Sequence, residues 1–226
     1  MTISVLMSVF NNEKTIERAI ESILNQSYEN FELLIMDDFS GDNSLEICKQ
    51  FTYDNRVKVF QNSKNIGLTK SLNILAGYSS SEYLARQDAD DESHVERFKI
   101  QKNVIEKYDY DIVTCRTEIL NSKRLRPRYA HFIPTSFILK YKNPFIHGTT
   151  FLRRKIFYEI GGYDEDYFFA QDYKFFIDAQ LYGCKIHTIK TPLYKLNVED
   201  NISTIYKNEQ KLFSQMASKH YRKEKK

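Results

Sequence analysis

Over the first hundred residues, short apolar runs alternate with apolar stripes of helical spacing. The run Ile3 to Phe10, broken only by serines, predicts a strand that stops at Asn11-Asn12. Ile16, Ala19, Ile20, Ile23 and Leu24 then recur at i, i+3, i+4, i+7 and i+8, the stripe of an amphipathic helix, with Asn12 or Thr15 placed to cap its start. Phe31 to Met36 predicts a second strand. It runs into Asp37-Asp38 and the Ser40-Gly41-Asp42 turn, ahead of a helix carrying Leu45, Ile47, Cys48 and Phe51. Val57 to Phe60 predicts a third strand, Asn65-Ile66-Gly67 a turn, Leu68 to Ala76 a helix and Tyr83 to Ala85 a fourth strand. This alternation with short connections predicts parallel βαβ units wound right-handed, a Rossmann-like half.

The second half is less regular. Val95 to Tyr108 predicts a helix, Asp111 to Cys115 a strand, and Gly148 to Leu152 a strand entering a helix from Arg153 that Gly161-Gly162 breaks. Asp172 to Tyr182 predicts an aromatic-rich helix, Lys185 to Thr188 a strand and Ser203 to His220 a terminal helix. Pro127 keeps the basic stretch Lys123 to Arg128 out of a helix interior; a solvated loop or a lipid-diphosphate contact would suit it. Phe132, Phe137, Tyr141 and Phe145 suit the core, an acceptor platform or a membrane contact, and the core is the default expectation. No low-complexity or Pro/Gly-rich linker divides the 226 residues, so one domain is expected.

Charge changes the picture in one place. The formal net charge is +3, yet Lys219, Arg222, Lys223, Lys225 and Lys226 against Glu224 concentrate more than that in the last eight residues. The rest of the chain is near neutral and is not a nucleic-acid surface; the tail is either solvated or rests on anionic headgroups. Cys48, Cys115 and Cys184 lie far apart without metal-ligand spacing, which predicts three core thiols in a reducing compartment. The N-terminus has no basic region, and its apolar run is far shorter than the roughly 20 residues a membrane span needs. It reads as the first strand of a soluble protein.

The chemistry is expected where strands end in acids. Tyr83-Leu84-Ala85 leads into Arg86-Gln87-Asp88-Ala89-Asp90-Asp91, three acids within four residues. Such a cluster is either an acidic turn or cap, or a set of carboxylates that holds Mg²⁺ or Mn²⁺ together with substrate phosphate oxygens. Asp37-Asp38 ends the second strand, and a parallel sheet brings both acidic sites to one rim. An acid at the second strand's end can accept hydrogen bonds from a base or ribose, and Phe10 could stack on the base. Phe10-Asn11-Asn12-Glu13 occupies the place of a dinucleotide-binding glycine turn, and no P-loop occurs. A nicotinamide dehydrogenase or P-loop NTPase is thereby disfavoured.

Several motifs in unbroken order carry a resemblance. They are Val9-Phe10-Asn11, Ser22-Ile23-Leu24-Asn25-Gln26-Ser27, Met36-Asp37-Asp38-Phe39-Ser40-Gly41-Asp42, Asn65-Ile66-Gly67, Asp88-Ala89-Asp90-Asp91 with Glu96-Arg97-Phe98, Gly161-Gly162-Tyr163-Asp164-Glu165 and Gln171-Asp172-Tyr173. From residue 3 to about residue 190 the chain resembles glycosyltransferase family 2. The resemblance implies an α/β GT-A fold: one Rossmann-like, mostly parallel central sheet flanked by helices. Residues 1–100 would form the nucleotide-sugar half. Residues 101–226 would form a less regular acceptor and catalytic half with a basic C-terminal helix.

The resemblance also assigns roles. Ser8, Phe10, Asn11 and Glu13 would border the nucleotide, Asp38 would hydrogen-bond the base, usually uracil, and Asp37 would support it. Lys70 and Arg86 fall near expected ribose or phosphate contacts. Asp88 would hold ribose or metal-bound water, Asp90 would ligate the divalent cation and Asp172 would be the general base. His147, Gly148, Gly162 and Gln171 fall in segments facing donor sugar and acceptor. The implied activity is inverting, metal-dependent transfer from a UDP-sugar to a hydroxyl of a saccharide. The acceptor would be lipid-linked, in bacterial surface polysaccharide synthesis, in the cytoplasm or at the inner face of the membrane.

Two departures stand out. Where many relatives place a metal-reaching His after Pro192-Leu193-Tyr194-Lys195, this chain has Asn197; His147 and His187 are the substitutes, unless both are structural. Gln171 replaces a family Glu, which should leave the pKa of Asp172 lower. A GT-A domain that binds a nucleotide sugar or partner without turnover is the alternative, though retention of Asp172 argues against it. A nucleotidyltransferase would want a glycine-rich loop after strand one.

Overall fold

The computed structural model describes residues 1–122, 124–128, 133–198 and 206–225. The predicted alternation is present as β1 (Ile3–Val9), α1 (Ile16–Leu24), β2 (Phe31–Asp37), α2 (Ser44–Gln50), β3 (Val57–Gln61), α3 (Leu68–Tyr78) and β4 (Tyr83–Arg86). β1 pairs in parallel with β2 and with β4, and β2 with β3. The C-terminal ends of β1, β2 and β4 therefore share one rim.

Side-chain alternation along the strands decides what covers each face of the sheet. Val5, Met7 and Val9 of β1 and Phe31, Leu33 and Ile35 of β2 pack with Ile16, Ala19, Ile20 and Ile23 of α1. Leu6, Leu34 and Met36 pack on the other face with Leu72, Leu75 and Ala76 of α3. Each such Val, Leu, Ile, Phe or Met side chain contributes about 1.5–3 kcal/mol when fully buried, so the stripe holds α1 in place. Its expected cap is absent: the Asn12 side chain accepts from the Phe10 N–H, and the Thr15 hydroxyl donates to the Ala89 carbonyl at 3.0 Å. Thr15 thereby ties α1 to the acidic loop.

The second half adds β5 (Glu92–Ser93), α4 (Arg97–Lys107), β6 (Ile112–Ile119), β7 (Leu125–Arg126), α5 (Thr135–Ile138), β8 (Phe151–Arg153), α6 (Arg154–Glu159), α7 (Gln171–Tyr182), β9 (Ile186–Leu196) and α8 (Lys207–Glu224). Among the described residues the sheet order is β3-β2-β1-β4-β8-β6-β9-β5, with β7 on β6. β8 is antiparallel to β4 and β6, whereas β9 is parallel to β6. β6 and β9 are longer than predicted. β9 continues through Pro192, which sits opposite Arg116 at a register shift where the ladder is already interrupted. That length carries Tyr194 and Asn197 back to the acidic loop, as β5 pairs with Lys195 and Tyr194.

Three further expectations change. Gly148 to Thr150 is no strand: His147–Thr149 forms a 3-10 turn before β8. Phe145 is buried, but Phe137 and Tyr141 are 55 % and 64 % exposed, because four-residue α5 turns Ile138 and Leu139 inward and this pair outward. The terminal helix is described from Lys207; Lys123, Phe132, Lys226 and residues 203–205 of that prediction lie outside the described residues. The three cysteines are buried and unpaired.

Arg97 is wholly buried under the acidic loop. Its guanidinium donates to Gln101 Oε1, Gln87 Oε1, Ser93 Oγ and the Arg86 carbonyl at 2.7–3.1 Å and lies over the Tyr194 ring. Arg97→Met strands acceptors that each cost about 1–3 kcal/mol when buried without a donor. We expect about 4 kcal/mol of lost stability in urea unfolding, and a loss below 1 kcal/mol would contradict this bracing role.

Candidate active site

The strand end at β4 builds the acidic loop. Arg86 is 3 % exposed; its guanidinium donates to the Leu6 carbonyl at 3.1 Å, to the Gln87 carbonyl and to Asp88 Oδ1 at 2.5 Å. It meets Asp88 from beneath rather than standing in the open. The Asp88 N–H donates to the Tyr194 hydroxyl, and a methyl group on Gly148 would lie 2.6 Å from Asp88 Oδ2 and overlap that hydroxyl. Only glycine lets the chain pass so close to Asp88.

Asp90 and Asp91 complete the loop. The Asn197 amide nitrogens reach both, the side chain donating to Asp90 Oδ2 at 3.3 Å and the backbone to Asp91 Oδ1 at 2.6 Å. Burial first, and then the charge of Asp88, raise the carboxyl of Asp90 to about 6 and that of Asp91 well above the carboxylate range. Crowded acids of this kind are relieved by a cation. No described group of three His, Cys, Asp or Glu side chains is arranged to hold a metal by itself. Asp88 and Asp90 are two carboxylates of the kind Mg²⁺ or Mn²⁺ takes alongside phosphate and water oxygens.

The end of β2 is locked. Asp38 is 2 % exposed, and its carboxylate accepts from Asn62 Nδ2, Ile66 N and Gly67 N at 2.7–2.9 Å, which fixes the turn into α3. Asp37 Oδ2 accepts from Ser40 N, while its buried Oδ1 has no partner among the described residues. Asn11, at φ 53°, and Glu13 latch the β1 loop to the loop after β2 through Ser40, Gly41 and Asn43. Ser8 is half-buried near the end of β1, Phe10 is 47 % exposed just beyond it, and Lys70 stands in the first turn of α3. A polar cavity of about 420 Å³ opens beside this loop, lined by Asn11, Asn12, Arg18, Asp90, Asn121 and Asn197 among others.

Asp172 faces the acidic loop from the first turn of α7. Its Oδ2 accepts from Asn143 Nδ2 at 2.7 Å. Burial raises its pKa to about 6, and the charge of Asp88 adds to the rise. The lower value expected from Gln171 is outweighed, because desolvation acts on Asp172 whatever its neighbour. Gln171 itself is buried.

His147 hydrogen-bonds the Tyr163 hydroxyl at 2.8 Å and is held neutral by burial and then by the charge of Arg86, with its pKa down to about 3. His187 stacks on Tyr110 near the start of β9, about 30 Å of strand from Asn197. It cannot stand in for the missing histidine. Gly162, at φ 73°, packs against Asn73 and Phe157. Asn143 and Tyr194 carried no signal in the sequence, since their partners Asp172 and Asp88 lie far along the chain.

Comparison with known proteins adds family and fold. The family model described as Glycosyl transferase family 2 matches residues 4–161. EpsE of Bacillus subtilis strain 168 is 37% identical over 165 residues, 71% of this chain and 59% of its own length. WfgD of Escherichia coli, named as a UDP-Glc:alpha-D-GlcNAc-diphosphoundecaprenol beta-1,3-glucosyltransferase, is 31% identical over 123 residues, 54% of this chain and 48% of WfgD. Residues 1–349 of S. aureus TarS, crystallised with UDP, superpose with a TM-score of 0.77 at 22% identity, over 94% of this chain and 64% of that one. That likeness shows a shared GT-A fold. The chain spans under two thirds of each of these proteins.

Proposed function

The chain belongs to glycosyl transferase family 2, and from that premise we propose that it is an inverting glycosyltransferase moving a sugar from a UDP-sugar to a saccharide hydroxyl. We take the acceptor to be carried on a lipid diphosphate, as the name of WfgD describes for that relative. The reaction would belong to surface polysaccharide synthesis in the cytoplasm or at the inner face of the membrane. No described helix is long and apolar enough to cross one.

One observation supports the reading: the Asp172 carboxylate, held by Asn143, lies close enough to the acidic loop for the charge of Asp88 to act on it. Inversion needs one base on the acceptor side and charge stabilisation on the leaving side. Asp172 takes the acceptor proton. Asn143 anchors Oδ2 and so restricts the carboxylate that would take the proton. Arg86 holds Asp88 in position, and Asp88 and Asp90 would hold Mn²⁺ or Mg²⁺, which when bound offsets charge on the departing diphosphate. The Phe10 ring is free to cover the base, and the polar cavity beside Asp90 has room for part of the nucleotide.

Calorimetric titration with UDP, CDP, GDP and ADP, each with Mn²⁺ and with EDTA, tests the donor site. Metal-dependent binding of UDP alone is expected, and absence of any nucleotide binding would overturn the reading. The base should show in the pH profile. Asp172 must be ionised, so kcat/KM should rise through about pH 6 and level off above it. Asn143→Ala removes a hydrogen bond that favours the charged form, so its acidic limb should move to higher pH. An unmoved limb would separate Asn143 from the base.

A further inference from the structure

Six large apolar side chains stand 45–64 % exposed on segments that pack against one another: Phe137 and Tyr141 on and just after α5, Phe168 before α7, and Tyr206, Leu212 and Met216 on and just before α8. The pieces are joined. Ser218 donates to the Lys140 carbonyl at 2.8 Å, Tyr221 to the Ser136 carbonyl, and Phe169 packs on Tyr206 and Phe213. The patch borders the catalytic cleft, because Asn143, two residues past Tyr141, bonds Asp172, and Phe168 lies four residues before it.

Helix α8 supplies the charge. Its Phe213, Ala217 and Tyr221, at i, i+4 and i+8, pack toward α7, and Tyr221 reaches α5 through the Ser136 carbonyl. The opposite stripe is Leu212, Met216, Lys219 and Lys223, at i, i+4, i+7 and i+11, flanked by Lys211 and Arg222. The helix carries five basic residues against two acidic ones, and Lys140, whose carbonyl accepts from Ser218, and Lys142 follow α5. None of the α8 lysines is ion-paired among the described residues. Exposed leucine, methionine and aromatic rings set among unpaired lysines match a phase that is apolar inside and anionic at its surface.

We propose that α5 and α8 form a docking face for an anionic lipid bilayer, holding the Asp172 cleft against the headgroups. Its link to a lipid-borne acceptor rests on the proposed function, but the docking itself does not. Apolar side chains enter the interface while the lysines meet lipid phosphates, and each basic residue near such a surface is worth about a fivefold change in partition.

Sedimentation with phosphatidylcholine vesicles, with and without phosphatidylglycerol, tests this on the full chain without nucleotide. Binding is expected to the anionic vesicles only, and to weaken with salt. Lys219→Ala with Lys223→Ala should lower the partition coefficient about thirtyfold, and Leu212→Ser with Met216→Ser should lower it as well. All four side chains point to solvent, so the variants keep the fold. Absence of binding to anionic vesicles, or binding unchanged in both double variants, would overturn the proposal. So would a lipid-free dimer in light scattering that Leu212→Ser with Met216→Ser dissolves, which would give the face to a second copy of the chain. UDP titration of the same proteins reports separately on the donor site, so the two readings fail independently.

Discussion

Asp172→Asn should lower kcat by about 10²- to 10⁴-fold, the range a positioned general base contributes, and leave metal-dependent UDP binding unchanged. The substitution is nearly isosteric and keeps an acceptor for Asn143, whose amide donates to Oδ2. It also removes a carboxyl that burial raises to about 6, so the fold should not weaken. The sign follows from that shift. Above pH 6 the native Asp172 is ionised at a cost the unfolded chain does not bear, and asparagine has no such cost. Single-turnover kinetics beside a UDP titration separates the outcomes. Transfer at the wild-type rate would remove Asp172 from the mechanism, and loss of UDP binding would make its role structural.

The second large effect belongs to the acidic loop. Asp90→Ala should weaken Mn²⁺-dependent UDP binding by more than about a hundredfold, since losing an outer partner of a metal ligand already costs 10- to 100-fold. Binding in EDTA should change little. The contrast arises because Asp90 also lies in the field of Asp88 with burial against it, so its removal relieves repulsion in the free protein while depriving the cation of an oxygen. The variant should therefore be at least as stable as the parent without metal at neutral pH. Equal UDP affinities for parent and variant in Mn²⁺ would show that the loop holds no cation, and the crowded acids would then be structural.

Both tests use residues that were visible in the sequence. The elements of the first half were legible too, because each depends on neighbours a few positions away: a stripe at i, i+3 and i+4 in α1, an apolar run ending in acids at β2 and β4, a glycine turn before α3. The second half was less so. β9 runs on well past Thr188 and through Pro192, which is tolerated because the ladder against β6 is already shifted there, and that register is set by a strand far away in the chain. Phe137 and Tyr141 read as core because aromatic content says nothing about which side of a short helix finds a partner.

Sequence alone determined the order of elements in the first half, the rim to which both acidic pairs come, and the family, since these follow from short-range periodicity and from motifs along the chain. Tertiary structure decided the rest. Asn143 holds Asp172, Tyr194 holds Asp88, Arg97 braces the loop from below and Asn197 reaches Asp90. It also turned Arg86 and Asp38 inward onto the frame of the site and left His187 at the far end of β9. The physical reason is common to all of them. Desolvation and hydrogen bonding depend on which atoms pairing brings within a few ångströms, and contacts between residues far apart in the chain leave no periodic trace in the sequence that encodes them.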